Sequence, residues 1–201
     1  MNVFGMTDIS AENMIKSANE QSSKRAKKIK TTNCCRNFDI NTSAKMLERS
    51  EVFPCNGESI RMLSPAGGWS SCSLVVAIAN ECKIKQAFIT TLRVGKKELV
   101  ALEHIGIQHV SFCLGGIAKE NAAKYDYAKN LDVACERNGW TRKYIRNHSK
   151  IILLDTDRGK IAIETSSNFN ENPQIEQFCV TNSTDVYDFY LEQLREVGAF
   201  D

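Results

Sequence analysis

The stretch from Asn147 to Gln177, NHSKIILLDTDRGKIAIETSSNFNENPQIEQ, constrains the fold more than any other part of the chain. Two apolar, β-branched runs, Ile151 to Leu154 and Ile161 to Ile163, flank the segment Asp155-Thr156-Asp157-Arg158-Gly159-Lys160. A turn-rich connection of this kind joins two antiparallel strands, so the spacing predicts a hairpin. Side chains alternate faces along a strand, which puts His148, Lys150, Ile152 and Leu154 on one side. On the returning strand Ser166 and Asn168 share a parity. Pairing around Asp157-Arg158-Gly159 then brings an imidazole and an ammonium close to a hydroxyl and a carboxamide. Lysine supplies charge, while serine and asparagine supply neutral donors. The histidine can attack phosphorus or shuttle a proton near neutral pH. Together these groups make an anion site at one sheet edge.

His148-Ser149-Lys150, followed by four residues and Asp155, resembles the HxKxxxxD pattern of the phospholipase D superfamily. Thr165-Ser166-Ser167-Asn168 resembles the GSxN segment that completes that motif, with threonine in place of glycine. Asn172 to Glu176 is similar to its trailing part, where a carboxylate usually sits. The resemblance is tight over about 30 residues and extends by element order over about residues 55 to 200. One copy of the motif is present, whereas many members of the superfamily carry two.

The resemblance implies a role for each position. His148 would be the nucleophile, forming a covalent phosphohistidine with a phosphodiester. Lys150 and Asn168 would hold the non-bridging phosphate oxygens, with Ser166 supporting that cradle where charge builds in the transition state. Glu176 would accept a hydrogen bond from the other imidazole nitrogen. Asp155 would close the strand turn rather than touch substrate. The chemistry needs a second histidine as general acid, which a single-motif chain obtains most simply from a second subunit across a two-fold axis. The resemblance therefore implies a homodimer, and chemistry without a metal or cofactor.

At 201 residues and 42% apolar, the chain can bury one full core and still carry an appendage. The longest apolar stretch, Leu74 to Ala79, is too short for a membrane helix, and no basic-then-apolar signal opens the sequence. None of the eight cysteines is spaced as CxxC, and the adjacent Cys34-Cys35 pair does not match a zinc knuckle. Cys72, Cys113 and Cys179 sit among apolar residues, as buried free thiols do. A reduced, cytoplasmic setting is the expectation, with no membrane partner.

Residues 1–50 hold nine Lys and Arg against five Asp and Glu, while residues 51–201 hold seventeen against nineteen. We therefore divide the chain into an N-terminal basic helical extension, 1–50, and a catalytic domain, 51–201. A helix is predicted through Glu12, Met14, Ile15 and Ala18, capped by Asp8 or Ser10. Its continuation places Lys24, Arg25, Lys27, Lys28 and Lys30 within seven residues. Such a segment either binds a phosphate backbone, releasing counterions, or forms a solvated helix face.

Beyond Cys55 the pattern alternates strand and helix. Strands are predicted over Ser59 to Leu63, Gln86 to Val94, Gln108 to Leu114, Thr141 to Arg146 and Gln177 to Thr181, besides the hairpin. Helices are predicted from about Ser71 to Cys82, from Gly95 through Ile105, and from Ala122 to Asn138. A last helix follows Ser183-Thr184-Asp185 and packs through Val186, Phe189, Tyr190, Leu194 and Val197. His109 reads as a packed strand histidine and His104 as a helix-surface one. Arg142, Lys143 and Arg146 precede the His148 motif and either line a substrate channel or stand exposed. The order gives an α/β fold, a mixed β-sheet flanked by helices. That is also the architecture implied by a phospholipase D-like half-domain.

The leading functional expectation is a nucleic-acid phosphodiesterase, a nuclease, because a basic segment accompanies the phosphodiester motif. A phospholipid phosphodiesterase is the second, opposed by the lack of a broadly apolar amphipathic helix or exposed aromatic cluster. The third is a nucleic-acid-binding protein that has lost turnover, which Thr165 favours. A zinc-dependent nuclease is disfavoured by the cysteine spacing and by a total of three histidines.

Overall fold

The predicted hairpin forms the middle of a larger sheet. The computed structural model describes residues 52–64, 68–115, 125–170 and 174–201. The basic cluster from Lys24 to Lys30 lies outside the described residues, as do the predicted helix before it and Asn172. Among the described residues there are seven strands: β1 (Ser59–Ser64), β2 (Ile84–Thr91), β3 (His109–Leu114), β4 (Thr141–Tyr144), β5 (Ile151–Thr156), β6 (Gly159–Thr165) and β7 (Glu176–Asn182). Four helices accompany them: α1 (Ser71–Glu81), α2 (Lys96–Ile105), α3 (Asp126–Asn138) and α4 (Thr184–Glu196).

All seven strands join one sheet in the order β1-β7-β6-β5-β2-β3-β4. The strands β2, β3 and β4 run parallel, joined by the crossover helices α2 and α3. From β2 outwards, β5, β6, β7 and β1 pair antiparallel. The hairpin register puts Ile151 opposite Glu164 and Thr156 opposite Gly159, so the Asp157-Arg158 turn closes it tightly. Gly159 has φ +139°, which a side chain would resist, and an added Cβ would meet the Asn182 side chain.

Helices α1, α2 and α3 pack in sequence, α1 on α2 and α2 on α3, while α4 packs on β6. One core face joins Phe88, Cys113, Leu153 and Ala162 of the sheet to Tyr187 and Leu194 of α4 and to Phe200 beyond it. The alternate residues Ile89, Phe112, Ile152, Leu154, Ile161 and Ile163 are also buried. Central strands covered on both faces read as continuous apolar runs, which is why Ile151 to Leu154 shows no polar alternation. Helix α1 is buried along Ser71–Ile78 and starts from a reciprocal cap. Ser70 Oγ accepts the Ser73 N–H at 3.2 Å, and Ser73 Oγ accepts the Ser70 N–H at 2.8 Å, a pairing worth about 1 kcal/mol.

Several details differ from the sequence expectation, among them β4, which ends at Tyr144 rather than Arg146. Strand β2 ends at Thr91 rather than Val94, because Thr91 Oγ1 donates to Arg93 O at 2.9 Å and bends the chain out of the ladder. Phe189 and Val197 are 58% and 67% exposed; the face of α4 that packs is Val186, Tyr187, Tyr190, Leu191 and Leu194. His109 begins β3 exposed rather than packed, since β3 is buried only from Val110 onwards. Among the described residues no helix is long and apolar enough to cross a membrane. Cys72, Cys82, Cys113 and Cys135 are buried free thiols; Cys179 is half-buried and Cys55 exposed.

Candidate active site

The candidate site lies outside the carboxyl ends of β2, β3 and β4, where the antiparallel β5 enters the sheet. Open α/β sheets bind ligands at such a place. Three segments converge there: the loop after β2, the loop 166–170 after β6, and the approach to β5 from Asn147 to Lys150.

Local hydrogen bonds hold His148 in an exposed turn between two fixed neighbours. Asn147 Oδ1 accepts the Ser149 N–H at 2.8 Å and lies 2.6 Å from Ser149 Oγ, an Asx-type turn. Ser149 Oγ also lies 2.9 Å from the Thr90 hydroxyl, and Thr90 Oγ1 accepts the Ile151 N–H at 2.8 Å. The turn is thereby tied to the buried strand β2. Asn147 Nδ2 is buried without a hydrogen-bond partner among the described residues.

Lys150 reaches back to the same turn. Its Nζ donates to the His148 carbonyl at 2.8 Å and lies 3.2 Å from His148 Nδ1. An ammonium donates to Nδ1 only if that nitrogen keeps its lone pair, which places the imidazole proton on Nε2. Burial holds the Lys150 ammonium below the usual lysine pKa, while the negative charge of Glu176 pulls it the other way. The pairing of β5 with β6 continues past the strand ends, with the Thr165 N–H donating to Lys150 O at 3.1 Å.

The loop after β6 brings in the remaining predicted residues. Ser166 Oγ donates to Glu176 Oε2 and accepts the Gln177 N–H at 3.1 Å. Glu176 is buried at the start of β7, where its own N–H donates to Ser64 Oγ at 3.1 Å. Asn168 Oδ1 accepts the Leu92 N–H at 3.3 Å, which fixes the carboxamide and makes Nδ2 its donor towards a ligand. The Phe169 N–H donates to Thr91 Oγ1 at 2.9 Å, locking this loop to the end of β2. Ser71 Oγ donates to Ser167 O at 3.5 Å, so the electropositive N-terminus of α1 abuts the loop. Thr165, where the motif carries glycine, uses its hydroxyl to accept the Ser167 N–H at 2.9 Å, and the turn accommodates it.

The structure thus gathers His148 with Lys150, and Ser166 with Glu176, with Asn168 held on the end of β2. Asp155 lies towards the opposite end of β5, opposite Gln86 and Lys160, with Lys85 Nζ 3.9 Å away. The cations before the motif divide. Arg142 is committed to Asp132 and, at 3.5 Å, to Glu136, and Lys143 pairs with Asp201 at 2.7 Å. Arg146 is exposed, with no ion pair among the described residues. No cluster of three or more His, Cys, Asp and Glu residues suited to a metal occurs among the described residues.

Five supporting residues escape a reading by motif. Asn147 and Ser149 flank His148, and Thr90 and Thr91 carry hydroxyls that bind both site loops to β2. Gly115 is the most demanding. Its N–H donates to Thr91 O at 2.9 Å, and a Cβ there would sit 1.5 Å from the Asn147 carbonyl oxygen. The Gly115-Gly116 pair in the sequence marks the position, although not what presses against it.

The bond between Ser166 and Glu176 carries the first prediction. Ser166→Ala leaves the buried Glu176 carboxylate without its hydroxyl donor, while the exposed Gln177 N–H passes to water. We expect a loss of about 1–3 kcal/mol in stability by urea denaturation. A variant as stable as wild type would show that Ser166 does not support Glu176.

No protein-family model and no curated protein matches the sequence. Among solved structures, polyphosphate kinase from Porphyromonas gingivalis is similar at 18% identity and a TM-score of 0.50, over 72% of this chain and 26% of that one. Yeast tyrosyl-DNA phosphodiesterase is similar at 11% identity and a TM-score of 0.38, over 61% of this chain and 32% of that one. The chain spans about a quarter of the polyphosphate kinase and about a third of the phosphodiesterase. The comparison of folds rests on the first of these, whose matched part is a half-domain. With a mixed seven-stranded sheet and four helices among its described residues, this chain has the phospholipase D-like half-domain fold.

Proposed function

We propose that this chain is a phosphodiesterase that cleaves nucleic-acid phosphodiester bonds through a phosphohistidine at His148. The observation that carries the proposal is the placement of Lys150 Nζ 3.2 Å from His148 Nδ1, beside the loop that presents Asn168. Phosphoryl transfer also agrees with the fold, which is similar to part of a polyphosphate kinase.

An entering phosphate competes with the imidazole for Lys150. As the ammonium turns to a non-bridging oxygen, Nδ1 is released to take the ring proton, and Nε2 gains the lone pair needed for attack. Glu176 balances the charge near Lys150 and accepts the Nδ1 proton as a hydrogen bond in the reacting complex. Nε2 then bonds to phosphorus as the bond to the leaving oxygen breaks, and a second imidazole protonates that oxygen. Water attacks the phosphohistidine in the second step, giving its proton to the same imidazole and freeing His148. Lys150 and Asn168 Nδ2 hold the equatorial oxygens through both steps.

A partner copy supplies the second imidazole. His109 starts β3 while the site lies past its other end, roughly 17 Å away at the rise of a strand. His104 sits in the last turn of α2, where its Nδ1 lies 2.7 Å from the Val100 carbonyl oxygen. Neither is placed to protonate a leaving group at His148. A homodimer with its two motifs face to face meets the need.

Labelled single- and double-stranded DNA and RNA, incubated with the purified protein in EDTA, test the reading. Cleavage that survives the chelator is the expected result. Binding without cleavage would instead favour a nucleic-acid-binding protein on this fold. Activity abolished by EDTA and restored by a divalent metal would contradict the phosphohistidine route.

A further inference from the structure

Beside the site, helix α3 breaks a local rule. Its N-cap is Tyr125, which makes no side-chain capping hydrogen bond, where serine, threonine, aspartate or asparagine would stabilise the helix. The ring stands 47% exposed instead and stacks on Tyr127, with centroids 5.5 Å apart and planes tilted by 35°. Tyr127 and Tyr144 both pack on buried Ala128, so the aromatic pair is seated on the end of β4. From Tyr144 the chain passes through Arg146 directly into the Asn147-His148 turn.

A second cation stands on the loop after β2. Arg93 is exposed and has no ion pair among the described residues. Its carbonyl accepts from Thr91 Oγ1 at 2.9 Å, and the same hydroxyl accepts the Phe169 N–H next to Asn168. Arg93 is therefore anchored to the loop that presents Asn168, and its charge reaches the Tyr127 phenol. In contrast to Arg142 and Lys143, neither Arg93 nor Arg146 is held by a carboxylate among the described residues, so both are offered to phosphate.

We propose that Tyr125 and Tyr127, flanked by Arg93 and Arg146, form a base-stacking platform that selects single-stranded nucleic acid for the site. This rests on the phosphodiesterase reading, since it names the strandedness of that enzyme's substrate. Exposed aromatic faces beside cations that track a backbone are how proteins bind single strands without reading sequence. In a duplex the base faces are stacked on one another and cannot reach the rings.

The test measures, by stopped flow in EDTA and before any turnover, the binding of three fluorescent probes. These are a single-stranded oligonucleotide, its duplex, and a strand of equal length built from tetrahydrofuran abasic units. Wild type should prefer the base-bearing single strand. Tyr125→Ala should weaken that binding by about 5- to 150-fold and leave the abasic strand unaffected, while Tyr125→Phe should bind as wild type. Arg93→Ala should flatten the salt dependence by about 0.7 in log–log slope. Circular dichroism confirms that each variant is folded. Wild-type binding that ignores bases or strandedness, or fails altogether, overturns the platform, as does unweakened binding by Tyr125→Ala. Base-dependent binding by a wild type that cleaves nothing would leave the platform standing and sink the phosphodiesterase reading.

Discussion

His148→Asn should lose at least about four orders of magnitude in phosphodiester cleavage while melting as wild type does. In the homodimer the substitution removes both the attacking imidazole and the imidazole that protonates the leaving oxygen. Asparagine keeps a polar side chain of similar reach but is no nucleophile. The cost in stability is small because His148 is exposed and its ring contact is with Lys150 at 3.2 Å. Exposed substitutions away from caps and core contacts stay within about 0.5 kcal/mol. Cleavage assays and thermal melts on the same preparation separate the two quantities. Residual activity within tenfold of wild type would mean that another group attacks phosphorus.

Gly115→Ala should damage both stability and activity. The new Cβ would lie 1.5 Å from the Asn147 carbonyl oxygen and 2.5 Å from its carbonyl carbon, both backbone atoms that no rotamer change can move. Gly115 cannot retreat easily, since its N–H is bonded to Thr91 O, and Leu114 O accepts the Ile145 N–H at 3.1 Å. The strand end and the His148 turn must therefore part by at least about 1.5 Å. Overpacking of this sort costs about 1–3 kcal/mol or more. A displacement of about 1 Å in a reacting group costs about 10²-fold in rate. Urea unfolding and cleavage rates should both register the change. Wild-type values in either would show that the close approach of the two segments is not needed.

The hairpin was legible because its signals agree: two β-branched runs, a turn-rich connection and matching parities lead to the register that places Thr165 beside Lys150. The start of the last helix was legible at Ser183, where capping chemistry acts over a few residues. What escaped depends on contacts distant in sequence. The pairing of Arg142 with Asp132 and Glu136, and of Lys143 with Asp201, turns two apparent substrate cations into structural ones. Nothing near Arg142 or Lys143 in sequence distinguishes them from Arg146. The end of β2 escaped because Val94 continues the apolar pattern, although the Thr91 hydroxyl has already bent the chain. The packed face of α4 was misjudged at Phe189 and Val197, since helical periodicity admits two overlapping stripes until the sheet selects one. Within the site, the motif points to the reacting groups but not to the hydroxyls of Thr90 and Thr91 that hold them in place.

The central claim is a covalent bond between His148 and phosphorus. The direct measurement is rapid acid-free quenching of the protein with a phosphodiester substrate labelled at phosphorus, in EDTA, followed by peptide mapping. The account predicts a transient label, stable to alkali and lost in acid, on the peptide carrying His148 and absent from His148→Asn. Cleavage that proceeds with no such label, or with label on a different residue, would contradict it.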